Sequence, residues 1–216
     1  MNRSLYKIQC FWRASLGIAL LWGVLVIAPA TANASTVLIM GDSLSDAYRL
    51  PKEAGWVALL ADRLAPNTEV INASISGETS AGGATRLPSL LKVHEPDVVV
   101  IILGGNDGLR ALHPNQLSEH LGTMIEVALQ SGARVGLMQI RLPPNLGPAY
   151  IERFEAVYPA LAEQHGVTLL PFFLVDFFDQ PGMLMDDGIH PTAQAQPKMF
   201  ESVYPHIQAL MATTNN

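Results

Sequence analysis

One run constrains this chain more than any other: residues 97–103, which contain Val-Val-Val-Ile-Ile-Leu. Successive strand side chains point to opposite faces, and here both faces are apolar. Such a segment needs cover on both sides and reads as a buried central strand. Four more β-rich runs, at 36–40, 69–72, 134–140 and 167–170, bring the expected strands to five. The segments between them have helical spacing. Leu117, Leu121, Met124, Ile125, Ala128 and Leu129 form one apolar stripe, and Tyr150, Phe154, Val157, Tyr158, Leu161 and Ala162 repeat its pattern. Phe200, Val203, Tyr204, Ile207, Leu210 and Met211 form a last stripe, in which Pro205 is expected to kink or restart the helix. Alternating strands and helices imply right-handed βαβ units, hence a parallel sheet with helices on both faces.

Residues 1–34 read as a secretory signal peptide. Arg3, Lys7 and Arg13 make a basic start, the run from 16 to 28 is apolar throughout, and Pro29 breaks it. Ala32-Asn33-Ala34 offers small residues where a signal peptidase cuts, although cleavage after Ala30 or Ala32 is also chemically acceptable. The apolar core is short of the ~20 residues of a spanning helix, so no stable membrane insertion is expected after cleavage. Residues 35–216 are then a single domain, with a monomer the favoured state. Three basic and no acidic residues lie in 1–34, so the formal charge of −6 becomes −9 without them. An acidic surface excludes nucleic acid as a natural partner. The single cysteine, Cys10, leaves with the signal, so the exported domain has no disulfide, thiol nucleophile or cysteine metal site.

In a parallel α/β sheet, ligands bind beyond the carboxyl ends of the strands. The first three strands should deliver three loops there: Gly41-Asp42-Ser43-Leu44-Ser45, Ser74-Ile75-Ser76-Gly77-Glu78-Thr79 and Gly104-Gly105-Asn106-Asp107-Gly108. Each alone reads as a cap or a turn. With Asp187-Gly188-Ile189-His190-Pro191 they supply the parts of a serine hydrolase. A serine hydroxyl needs a base, and histidine titrates near neutral pH. Its second ring nitrogen needs an acceptor, and Asp187 lies three residues before His190, a spacing that a helical turn brings to one face. The expected catalytic residues are Ser43, Asp187 and His190. The expected oxyanion donors are the N–H groups of Ser43 and Gly77 and the side-chain amide of Asn106.

With these blocks in order, the chain resembles the GDSL branch of the SGNH hydrolases, and more narrowly its bacterial arylesterase and thioesterase group. The segment 138–145, Met-Gln-Ile-Arg-Leu-Pro-Pro-Asn, is similar to that group as well. The resemblance spans about residues 36–207. It implies a three-layer α/β/α sandwich of flavodoxin-like type with a five-stranded parallel sheet, and the same roles for Ser43, Gly77, Asn106, Asp187 and His190. It implies a small-molecule acyl ester, thioester or lipid substrate and no cofactor or metal. One departure stands beside the nucleophile: Asp46-Ala47 occupies the place where relatives usually carry Ala-Gly, and an extra carboxylate there can disfavour anionic substrates or retune the serine loop.

Substrate contacts are read from apolar residues near the strand ends: Ile75, Leu109, Leu142 and Ile189, with Leu146 and Tyr150 beyond them. They form either an acyl groove or ordinary loop packing. Three rivals share these residues: a carbohydrate acetyl esterase, a non-catalytic binding module, and a metal hydrolase using Asp42, Asp187 and His190. Export makes the periplasm the expected location, with secretion an alternative; there lysophospholipids and other carboxylic esters are more available than acyl-CoA.

Overall fold

The computed structural model describes residues 35–213, so the expected signal peptide lies outside the described residues. Five strands, β1 (Ser35–Gly41), β2 (Thr68–Asn72), β3 (Val98–Ile102), β4 (Arg134–Met138) and β5 (Thr168–Leu170), pair in parallel in the order β2-β1-β3-β4-β5. All five residues of β3 are fully buried, as its two apolar faces require. Burial of a Val or Ile side chain contributes about 1.5–3 kcal/mol, so this strand alone is a large share of the core.

The connecting helices are α1 (Trp56–Leu64), α2 (Ser80–His94), α3 (Gly105–Leu109), α4 (Pro114–Gln130), α5 (Pro148–Glu155), α6 (Val157–His165) and α7 (Gln196–Ala212). Helix α1 packs against α7, whereas α2, α4 and α6 pack in series. The strand order explains this division. The first crossover runs from β1 to one side of the sheet, and the later ones run to the other. With right-handed crossovers, the two directions put their helices on opposite faces. The result is the expected α/β/α sandwich. The reversal falls between β1 and β3, where doubly wound sheets open a crevice at their carboxyl edge. Gly41 pairs with Ile102, so the loops leaving β1 and β3 begin level with each other.

Three details differ from the sequence expectation. The stripe from Tyr150 to Ala162 belongs to two helices instead of one, with the break at Ala156. Pro159 has no N–H to give to the carbonyl of Glu155, four residues back, so α5 ends there. The side-chain amide of Gln139 donates to that carbonyl instead, at 3.2 Å. Conversely, α7 runs through Pro205 without interruption. The carbonyl to which this proline cannot donate is that of Glu201, four residues back, an exposed residue. Leu129, placed on the α4 stripe, is 40% exposed at the last turn of the helix.

Candidate active site

Ser43 follows β1 within a tight turn in which the carbonyl of Asp42 accepts the N–H groups of Ser45 and Asp46, both at 3.0 Å. The Asp42 side chain turns inward, with Oδ1 accepting from the Leu44 N–H at 3.0 Å and Oδ2 from the Asn106 amide at 3.2 Å. Asp42 therefore ties the loop after β1 to the loop after β3. Burial pushes its carboxyl up from an ordinary 3.8 to about 6, against the lowering effect of the Leu44 and Asn106 hydrogen bonds. A raised folded-state pKa contributes stability that is full below the unfolded value and is lost as the pH rises through the folded one. Compared with Asp42→Asn, which cannot titrate, the wild-type chain is expected to lose relative stability between pH 4 and about 6. Paired melting curves across that range check this, and a stability difference independent of pH would refute it.

Asn106 is presented by α3, whose entry depends on Gly104. The residue has φ of +118°, and a Cβ there would stand 2.1 Å from the Tyr158 hydroxyl. That hydroxyl donates to the Leu103 carbonyl at 3.0 Å, so only glycine lets the chain turn between them. Behind Asn106, the buried Asp107 accepts the N–H and the Oγ–H of Ser80 at 2.9 and 2.5 Å, joining α3 to the start of α2.

Asp187 and His190 come from a loop before α7. Their adjacency is not that of a helical turn. An antiparallel bridge between Leu184 and Pro191 closes the loop, and the Met185 N–H donates to the His190 carbonyl at 2.7 Å. Inside it, Asp187 Oδ1 accepts the N–H groups of Ile189 and His190 at 3.0 and 2.9 Å, which turns the backbone back on itself. These bonds and the contact with the His190 ring hold the Asp187 carboxyl down at about 2. The group is thus an ionised acceptor at neutral pH. It lies 2.8 Å from His190 Nδ1, and His190 Nε2 lies 2.9 Å from Ser43 Oγ. An acceptor at Nδ1 puts the neutral ring's proton there and leaves the Nε2 lone pair for the serine O–H. Tyr48 packs against the His190 ring with centroids 4.1 Å apart, a contact sequence reasoning missed.

The N–H groups expected to meet an oxyanion are unspent. Among the described residues, neither the Ser43 nor the Gly77 backbone N–H has an acceptor, and Asn106 has a second amide N–H beyond the one given to Asp42. Gly77 has φ of +81°, at a turn.

A cavity of about 360 Å³ opens beside Ser43 and His190. Of the expected substrate contacts, Leu109, Leu142 and Ile189 line it. Ile75 does not; it is 47% exposed. Leu146 and Tyr150 are also outside the lining, and the Tyr150 hydroxyl donates to the Leu112 carbonyl instead. The wall missed from sequence is the segment after β5, which supplies Phe172, Leu174, Val175 and Phe178. Its signal was present: four of the chain's seven phenylalanines stand there as the pairs 172–173 and 177–178. In each pair one ring enters the core, Phe173 or Phe177, and the other faces the cavity. Asp46 does not line the cavity; its carboxylate is paired with Lys52 and bonded to Ser76. Ala47, beside it, holds φ of +54°, a conformation glycine adopts more readily. The ligand set of the metal-hydrolase rival does not assemble: among the described residues, no three His, Cys, Asp or Glu side chains gather as metal ligands would.

Residues 39–196 match the model of the GDSL-like lipase/acylhydrolase family. The chain belongs to this family. Esterase TesA of Pseudomonas aeruginosa is 50% identical to this GDSL hydrolase over 190 residues, which cover 87% of the chain and 94% of the relative. The thioesterase 1/protease 1/lysophospholipase L1 of Escherichia coli K12 is 47% identical over 180 residues, covering 83% and 86%. Among solved structures, a crystal structure of TesA superposes with a TM-score of 0.79 at 50% identity, covering 82% of this chain and 99% of that one. The psychrotrophic esterase EstA of Pseudoalteromonas, inhibited by monoethylphosphonate, also superposes with 0.79, at 37% identity over 83% and 100%. The GDSL hydrolase described here is accordingly an enzyme acting on ester bonds. Among its described residues, no helix is long and apolar enough to cross a membrane.

Proposed function

We propose that this GDSL hydrolase cleaves carboxylic acyl esters and thioesters through an acyl-enzyme on Ser43. The observation that supports this best is the hydrogen-bonded series Asp187–His190–Ser43 at the edge of an apolar cavity. Ser43 Oγ attacks the acyl carbonyl while His190 Nε2 takes its proton. The tetrahedral oxyanion accepts the N–H groups of Ser43, Gly77 and Asn106. His190 then protonates the departing alcohol or thiol as the C–O or C–S bond breaks. Water enters, gives its proton to His190 and attacks the acyl-enzyme, and the imidazolium returns the proton to Ser43 as the acid leaves. Asp187 fixes the tautomer and offsets the charge of the imidazolium.

The acyl chain lies in the cavity, against Leu109, Leu142, Phe172 and Phe178. Each methylene buried there contributes up to ~0.8 kcal/mol, or up to about fourfold in kcat/KM. Lysophospholipids and other single-chain esters fit this lining. We also propose that residues 1–34 direct export, most naturally to the periplasm, where such esters are met without acyl-CoA in competition. The test is kcat/KM for p-nitrophenyl acetate, butyrate, octanoate and palmitate. A rise from acetate into the medium-chain range is expected. A monotonic fall beyond acetate would overturn the acyl groove and move the substrate towards acetylated glycans.

A further inference from the structure

The turn that carries Gly77 has little packing to hold it. Ile75 is 47% exposed, Gly77 itself is exposed, and a Cβ built on Gly77 would meet nothing within 4 Å. Its shape rests on hydrogen bonds. The Glu78 N–H donates to the Ile75 carbonyl at 3.1 Å, and Gly77 has positive φ while Ser76 does not. That combination is a type II turn with Ser76 and Gly77 at its centre. The peptide unit between these two residues is the one that flips when a type II turn becomes type I. Its N–H is the Gly77 N–H, so a flip turns that donor away.

Asp46 grips the residue at the start of this peptide. Its Oδ2 accepts the Ser76 Oγ–H at 2.7 Å and the Ser76 N–H at 3.3 Å. Its other oxygen is paired with Lys52, whose ammonium also donates to the Asp46 carbonyl at 2.5 Å. Burial by itself raises the Asp46 carboxyl, but the Lys52 and Ser76 hydrogen bonds outweigh it and keep the pKa below the ordinary value. The carboxylate therefore persists through the neutral range. On the far side, Arg110 Nη2 donates to the Gly77 carbonyl at 3.2 Å.

We propose that Asp46 is a positioning residue for this enzyme: by holding Ser76 it keeps the Ser76–Gly77 peptide turned so that the Gly77 N–H faces the oxyanion. This rests on the reading of Gly77 as an oxyanion donor. Asp46 acts through hydrogen bonds on the neighbouring loop instead of through its charge on the substrate, since it does not line the cavity.

The test is steady-state hydrolysis of p-nitrophenyl butyrate by Asp46→Ala, Asp46→Asn, Ser76→Ala and the Asp46→Ala/Ser76→Ala double variant, with Asn106→Ala alongside. Asp46→Ala is expected to lower kcat about tenfold, with KM within about twofold, because small displacements of a transition-state donor act on the chemical step. Asp46→Asn keeps an oxygen for Ser76 and should recover most of the loss. The double variant should be no worse than Asp46→Ala, since both substitutions cut one connection. Should Asp46→Ala fail to fold, Asp46→Asn against Ser76→Ala gives the same comparison. Unchanged kcat in Asp46→Ala, or additive losses in the double variant, would overturn the proposal. If Asn106→Ala still loses at least 100-fold, the oxyanion reading survives that failure; if it loses under about threefold, the oxyanion reading has failed as well.

Discussion

Ser43→Ala is expected to lower kcat on the order of 10⁵-fold or more, with the fold unchanged. The hydroxyl has one partner among the described residues, His190 Nε2 at 2.9 Å, and it is only partly buried. Removing it empties no core volume and breaks no turn, because the loop is held by the Asp42 carbonyl and side chain. On the proposed mechanism, what is lost is the covalent route itself: without Oγ there is no acyl-enzyme, and His190 has no serine proton to take. The remaining rate comes from binding and the oxyanion donors acting on water. Two measurements check this together, hydrolysis of p-nitrophenyl butyrate and melting temperature. Stoichiometric labelling by an alkyl p-nitrophenyl phosphonate, in which Ser43 Oγ displaces p-nitrophenoxide from phosphorus, tracked by mass, should vanish in the same variant. Full turnover in a folded Ser43→Ala protein would remove Ser43 as nucleophile. It would also revive a non-covalent reading of the site.

Asn106→Ala comes second, with an expected loss of 100-fold or more in kcat. The amide sits at the mouth of α3, and one of its N–H groups is spent on Asp42 Oδ2. That bond fixes the plane of the side chain, so the second N–H is aimed before substrate arrives. Preorganisation is what gives such a donor its value, since no reorganisation is needed as the charge develops. The substitution also strips a hydrogen bond from a buried carboxylate that burial already holds near 6. The Asp42 pKa should then rise further, because a bond favouring its charged form is gone. The rate must therefore be measured on folded protein across a pH range. A kcat loss that persists at high pH belongs to the missing donor, whereas one that disappears when Asp42 is fully ionised belongs to Asp42.

These two experiments and the chain-length series bear on different links. Ser43 tests the nucleophile, Asn106 the charge stabilisation, and the chain-length series the cavity. The family shows ester hydrolysis as the chemistry, yet relatives carry names as different as esterase, thioesterase and lysophospholipase. In this chain the walls of the cavity, Leu109, Leu142, Phe172 and Phe178 among them, are what an acyl chain or leaving group would meet. The site's hydrogen bonds say little about such differences.

Much of the architecture was legible in the residues themselves. Strand period, helix period and the two-faced apolar run at 98–103 are local properties, and burial of both faces admits few layer arrangements. The βαβ handedness then follows from chain chirality. The blocks around Ser43, Gly77 and Asn106 could be placed on one edge of the sheet because parallel strands deliver their loops to a common end, and Asp187 and His190 joined them as the acid and base that a serine nucleophile needs. Where the reading failed, a single residue governed the outcome. The stripe from Tyr150 to Ala162 breaks at Ala156, next to the Glu155 carbonyl that Pro159 cannot bond and Gln139 takes, while α7 runs through Pro205, whose missing N–H falls opposite the exposed Glu201.

The sequence by itself thus determined the sheet, the layers and which residue types meet at its edge, since each rests on periodicity or on a rule of chain direction. Only the tertiary structure decided the distances and surroundings within the site. The 2.9 Å between Ser43 and His190 joins residues far apart in the chain, and no local spacing encodes it. The choice of Phe172 and Phe178 for the cavity, the exclusion of Ile75 from it and the grip of Asp46 on Ser76 have the same origin. Each depends on how loops from different strands settle against one another, a balance of packing and hydrogen bonds that exists only once the sheet has brought them together.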